Sequence, residues 1–199
     1  MSEVPFKDVV HAATGREVLP VRSDDPFIKE TLLPVLSVSL NRVLLSMNKA
    51  DNPAHNRKRI NEVSGDFEKA IRESLDSVEG FECNFAKNAS GKSQRSGYPD
   101  LVLRHEAGRV IYLDPKVFKA TSKSSSFRTF YYEPKNETNK ILEDAHHLII
   151  GIAHEGKVDG LWHYRSWELV DVSELKVKLK AEFQSSNREL YGKEPLMKQ

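Results

Sequence analysis

Several things are scarce in this chain of 199 residues. Its one cysteine, Cys83, permits no disulfide within the chain and excludes every multi-cysteine zinc motif. No apolar run is long enough to span a bilayer, because the richest stretch, residues 27–47, is interrupted by Lys29, Glu30, Pro34, Asn41 and Arg42. The first residues, MSEVPFKDVVHAATGREV, mix acids and bases and lack the apolar centre of a signal peptide. A reducing, cytoplasmic setting without a membrane is the expectation. An excess of either charge is missing too: 30 Lys and Arg stand against 29 Asp and Glu, for a net +1. A charged partner must therefore be argued from where charges stand, not from their total. No Gly-x-Ser-x-Gly elbow, phosphate-binding Gly-x-x-x-x-Gly-Lys string or Gly-x-Gly-x-x-Gly fingerprint occurs. The seven histidines contain no His-x-x-x-His pair.

What is present is patterned for a core. Residues 1–23 read as loosely structured. Asp24-Asp25-Pro26 has the form of a helix start, and Ile28, Leu32, Val35, Leu36, Leu40, Val43, Leu44 and Met47 follow at helical spacing, with Pro34 expected to kink or split the helix. A polar link leads to a second helix, about residues 58–78, with Ile60, Val63, Phe67, Ile71, Leu75 and Val78 as one stripe and Gly80 as its stop. From Phe81 the period changes to two. Strands are expected at residues 81–87, 99–105 and 109–118, the last two joined by a Glu-Ala-Gly turn. In the first, FECNF alternates, so Cys83 reads as a small core residue and not a nucleophile. A helix over about 137–146, strands over 147–154 and 161–170, and a helix over about 172–185 complete the expectation. The fold class is α/β: a mixed central sheet flanked by helices, with residues 1–57 as a helical layer packed on a core of residues 58–199.

The second and third strands carry the chemistry. Along Asp114-Pro115-Lys116 side chains alternate, so Asp114 and Lys116 share a face. A hairpin brings Asp100, at the start of its strand, beside Asp114. Two buried acids raise each other's pKa, and a divalent cation relieves the conflict. Oxygen-only ligation suits Mg²⁺, with Mn²⁺ a substitute, and not zinc. These are parts of a metal-dependent phosphodiesterase.

Pro99-Asp100, thirteen intervening residues, then Asp114-Pro115-Lys116 resembles the motif of the PD-(D/E)XK restriction-endonuclease-like nuclease superfamily. Gly65-Asp66-Phe67-Glu68 resembles the acidic string on that family's preceding helix, one residue shorter in spacing. The resemblance extends to the helix–strand–strand–strand–helix–strand order expected over residues 58–154. It implies a small type II restriction endonuclease: Asp100 and Asp114 bind metal, Lys116 is catalytic, and the Pro115 carbonyl is a further ligand. Glu68 supports the metal, with Glu62 as the alternative. Double-stranded DNA is the implied partner and a homodimer the implied assembly. A repair or junction-resolving nuclease, and an inactive binding module of the same fold, stay open. Proline between acid and lysine departs from the pattern, since it removes a ladder N–H.

Two acid-free basic segments flank the motif. Residues 87–97 hold Lys87, Lys92 and Arg95, and residues 119–128 hold Lys119, Lys123 and Arg128. Lys92, Arg95, Lys119, Lys123 and Arg128 are the expected phosphate contacts. Phe127, Phe130, Tyr131 and Tyr132 suit either core packing or base stacking.

Overall fold

The structure is a computed structural model that describes residues 3–94, 97–125, 130–133, 138–179 and 197. The chain opens with β1 (Glu3–Pro5), α1 (Phe6–Thr14) and β2 (Val18–Leu19). A π-helical turn over Ile28–Leu32 runs directly into α2 (Leu33–Met47). After a 3₁₀ turn at Pro53–Asn56 come α3 (Ile60–Asp76), β3 (Phe81–Phe85), β4 (Leu101–His105) and β5 (Arg109–Lys119). The rest holds a 3₁₀ turn at Ala120–Ser122, then β6 (Ala145–Val158), β7 (Leu161–Asp171) and β8 (Lys176–Lys178). The main sheet is mixed, in the order β2-β6-β5-β4-β3, with β7 also paired to β6. β5 and β6 run parallel, while β3, β4 and β5 form an antiparallel meander. Among the described residues no helix is long and apolar enough to cross a membrane.

Periodicity explains the helices that cover one face. Val63, Phe67, Ile71 and Leu75 are buried at intervals of four along α3, and Leu36, Leu40, Val43 and Met47 at intervals of three and four along α2. They meet Cys83, Leu101, Leu103, Ile111, Leu113, Leu148, Ile150 and Ile152 in the larger core. Pro34 does not break the helix. It lies in the first turn of α2, immediately after the π turn, where a missing N–H is absorbed by the change of winding.

The opposite face departs from expectation. Residues 1–23 are ordered as β1, α1 and β2, because Phe6 and Val10 are fully buried in a second core with Val18, Tyr98, Tyr112, Ile141, Ala145 and Val172. The helix expected over 137–146 is absent among the described residues, where 139–144 form no regular element and β6 already begins at Ala145. Side chains and backbone of neighbouring elements hold this connector. The Leu142 N–H donates to Tyr112 Oη at 2.9 Å, Glu143 pairs with Arg104, and Asp144 Oδ1 accepts from the Glu17 N–H at 2.9 Å. α1 thus covers surface that a crossover helix would otherwise bury. The described part of the expected 172–185 helix is a turn followed by β8, which pairs with β1; the remainder falls outside the described residues.

β6 runs on to Val158 because Asp159-Gly160, both at positive φ (50° and 82°), form a two-residue hairpin turn into β7. The β6–β7 ladder is irregular between Ala153 and Gly156. There the helical layer reaches over the edge. The Asn48 side chain donates to the Tyr164 carbonyl and accepts its N–H, at 2.7 and 2.9 Å, and His55 Nδ1 accepts the Trp162 N–H at 2.9 Å.

Candidate active site

Register puts the acids together. Leu101 is paired with Leu113 in the β4–β5 ladder, so Asp100 and Asp114 follow as the next opposed positions, just where β4 has not yet begun. Asp114 continues the Tyr112 side of β5. Pairing with β4 ends at Leu113, so at Pro115 no hydrogen bond to β4 is forfeited, and the departure from the motif costs nothing on that side.

Lys116 Nζ lies 2.5 Å from Asp114 Oδ2 and 3.8 Å from Asp100 Oδ2. The Asp114 side chain is 2% exposed and that of Asp100 15%, against 34% for Lys116. Asp114 Oδ2 is buried and makes no aligned hydrogen bond, its close partner being the Lys116 ammonium. Burial, then the charge of Asp114, pushes the Asp100 carboxyl up to about 8, with Lys116 pulling the other way. Two acids therefore share direct contact with one ammonium, that of Lys116.

The site opens into a cavity of about 290 Å³, lined by Ser64 and Glu68 of α3, Gly97, Tyr98, Asp100, Asp114, Pro115, Lys116 and Tyr131. Lys116 also borders an apolar hollow of about 350 Å³ floored by Phe118, Ile149, Gly151 and Val170. Glu68 is half-buried and close enough for its charge to raise the Asp100 pKa further. Glu62 is elsewhere: its carboxylate accepts the Lys58 and Arg59 N–H groups at the start of α3, at 3.1 and 3.4 Å. Among the described residues no three His, Cys, Asp or Glu side chains converge on one point. Asp100 and Asp114 are oxygen donors of the kind that fits a hard cation keeping part of its water shell, and the lack of an aligned hydrogen bond at the buried Asp114 Oδ2 is the strongest sign.

The wall behind the acids is aromatic and dry. Tyr98 is 6% exposed, and its Oη lies 2.8 Å from His147 Nδ1. Burial drives the His147 pKa down to about 3, so the imidazole is neutral. His146 and His147 diverge as neighbours on a strand, not on a helix. Cys83 is fully buried, its thiol pushed up to about 12 by burial, as suits a core residue.

The basic segments are placed unevenly. Lys92 and Lys119 are exposed on either side of the motif. Lys123 is exposed but paired with Glu168 at 2.6 Å. Arg95 and Arg128 lie outside the described residues, as does Phe127. Phe130 and Tyr132 pack edge-on against Phe6, whereas Tyr131 is 47% exposed at the cavity. Sequence reading missed Lys140. It sits in the connector before β6, only 2% exposed, with Nζ donating to the carbonyls of Gly97 and Pro99 at 2.8 and 3.1 Å. Its sole signal, a lysine beside an asparagine, is that of any polar turn.

Comparison with known proteins identifies the family. The type II restriction enzyme MjaV of Methanocaldococcus jannaschii is 29% identical over 205 residues, covering 98% of this chain and 87% of that enzyme. The family model of the type II restriction enzyme MjaV family matches residues 1–194. A match over nearly the whole length, on a fold that sets two acids and a lysine at one strand end, places the chain in the type II restriction enzyme MjaV family.

Proposed function

We propose that the protein is a Mg²⁺-dependent endodeoxyribonuclease that hydrolyses phosphodiester bonds in double-stranded DNA as a type II restriction enzyme. The observation that carries this reading is the buried Asp114 beside Asp100 and Lys116, in a chain of a restriction-enzyme family. Asp100, Asp114 and the Pro115 carbonyl would hold the ion, Glu68 reaching it through water; Mn²⁺ is expected to substitute. The ion supplies polarisation of the scissile phosphate and offsets charge on the leaving oxygen.

The chain's own groups do the rest. Lys116, tethered to both acids, presents an ammonium at the cavity, where it orients the attacking water or stabilises charge on the phosphate. Tyr98 and the neutral His147 close the back of the site against bulk water, which strengthens each electrostatic contact within it. Lys92 and Lys119, with Arg95 and Arg128, bind backbone phosphates on the two sides. Two such sites in a homodimer would cut both strands. A cytoplasmic location matches a free, buried thiol.

The test is incubation of plasmid DNA with Mg²⁺, followed by sequencing of the ends. Discrete ends at one short sequence are expected, together with a loss of at least about 10²–10³-fold in rate for Asp114→Ala. Ends scattered at branches or lesions would point to repair instead, and cleavage that survives Asp114→Ala would reject the assignment of the site.

A further inference from the structure

Asp100 is delivered by a bend and not by a strand, since β4 starts only at Leu101. What holds that bend comes from far along the chain. Lys140 donates to the Gly97 carbonyl at 2.8 Å and to the Pro99 carbonyl at 3.1 Å. A backbone tie lies beside it, where the Ala89 N–H donates to the Asn139 carbonyl at 3.1 Å. Asn139 in turn fixes its own turn, bonding the Ile141 carbonyl and N–H at 2.8 and 3.0 Å.

The Pro99 oxygen belongs to the planar peptide unit that ends at the Asp100 Cα. Holding that oxygen sets the plane of the unit, and with it the direction in which the Asp100 side chain leaves the backbone. A lysine buried to this degree gives up rotamer freedom and hydration, and an apolar side chain would fill the space at lower cost. Burial lowers the Lys140 pKa, while the charges of Asp100, Asp114 and Glu68 oppose that shift.

We propose that Lys140 is a positioning residue for the site: by gripping the carbonyls of Gly97 and Pro99 it fixes where Asp100 stands relative to Asp114. The consequence for metal rests on the nuclease reading above, because the spacing of two carboxylates matters to an ion they share. The grip itself does not.

The experiment uses the full chain with two variants. Lys140→Met keeps the length and removes the donors; Lys140→Gln keeps an N–H donor on a shorter arm. Hydrogen exchange reads the backbone of residues 97–103, calorimetry reads Mg²⁺ binding without DNA, and plasmid cleavage reads the Mg²⁺ concentration for half-maximal rate. In Lys140→Met, exchange over 97–103 is expected to quicken about tenfold with α2 and α3 unchanged. The Mg²⁺ dissociation constant and half-saturation should rise about tenfold, with DNA affinity unchanged. Lys140→Gln should recover part of each, and decides the matter if Lys140→Met does not fold. Wild-type exchange over 97–103 in both variants would overturn the proposal. So would a uniform loss of stability and DNA affinity with unchanged Mg²⁺ half-saturation. A wild-type chain that neither binds Mg²⁺ nor cleaves DNA would reject the nuclease reading alone, since exchange still tests the grip.

Discussion

The two sides of β5 are built on opposite terms. On one, Ile111 and Leu113 meet two long amphipathic helices in an apolar cluster. On the other, Tyr112 is followed by Asp114 and Lys116, and the cover consists of a nine-residue helix, an irregular connector and side chains reaching in from distant segments. The first side gains stability from area removed from water. The second spends part of that stability on buried charge, which is tolerated because the first side is so well packed. A strand with period two lets one chain serve both purposes one residue apart.

Substitutions on the two sides should therefore separate stability from chemistry. The largest contrast sets Phe67→Ala against Asp114→Ala. Removing the fully buried Phe67 ring should cost about 3–5 kcal/mol in denaturant unfolding while the folded fraction keeps its specific activity. Asp114→Ala should leave stability equal or higher while cleavage is lost. If both variants lose activity in proportion to unfolding, the division of labour is wrong.

A smaller effect concerns Asp100. Its folded pKa is raised, so the native state holds a proton that the unfolded chain gives up near 4. Stability from this group is complete below pH 4 and falls as pH rises toward 8. Without added metal, Asp100→Asn should remove that decline. Near pH 8 it should raise Tm by at least about 2–4 °C, the shift that 1 kcal/mol produces in a domain of this size. Thermal melts at pH 5 and pH 8 check it, and equal Tm differences at the two pH values would contradict it.

Smallest is the surface term. Lys92→Ala should flatten the salt dependence of DNA binding by about one unit of slope. Lys123→Ala should change it less, since Glu168 already occupies that ammonium. Equal slopes for the two would show that the ion pair opens on DNA.

The same contrast explains what could be read from sequence. α2, α3, β3, β4 and β5 announce themselves because each buries a regular stripe, and the opposed positions of Asp100 and Asp114 follow from the meander alone. α1 was illegible because only Phe6 and Val10 anchor it, too few to establish a period. The connector before β6 looked helical from composition, but bonds from Tyr112 and Arg104 outcompete local preference. Asp159-Gly160 is a hairpin signal that the expected strand, ended at 154, passed over; it accounts for β6 and β7 meeting at Val158 and Leu161. Lys140 could not be found, because its meaning lies in two carbonyls more than 40 residues upstream.

The bonds from Asn48 and His55 to β7 have a bearing on how copies of this chain meet. An exposed strand edge invites another strand, and most unwanted self-association of sheet proteins begins there. At Tyr164 and Trp162 the groups an incoming strand would need are already taken by side chains of the helical layer, beside an irregular ladder that spoils the geometry further. The sheet is stoppered at that end. Two molecules that associate must do so by surfaces other than this stretch of backbone.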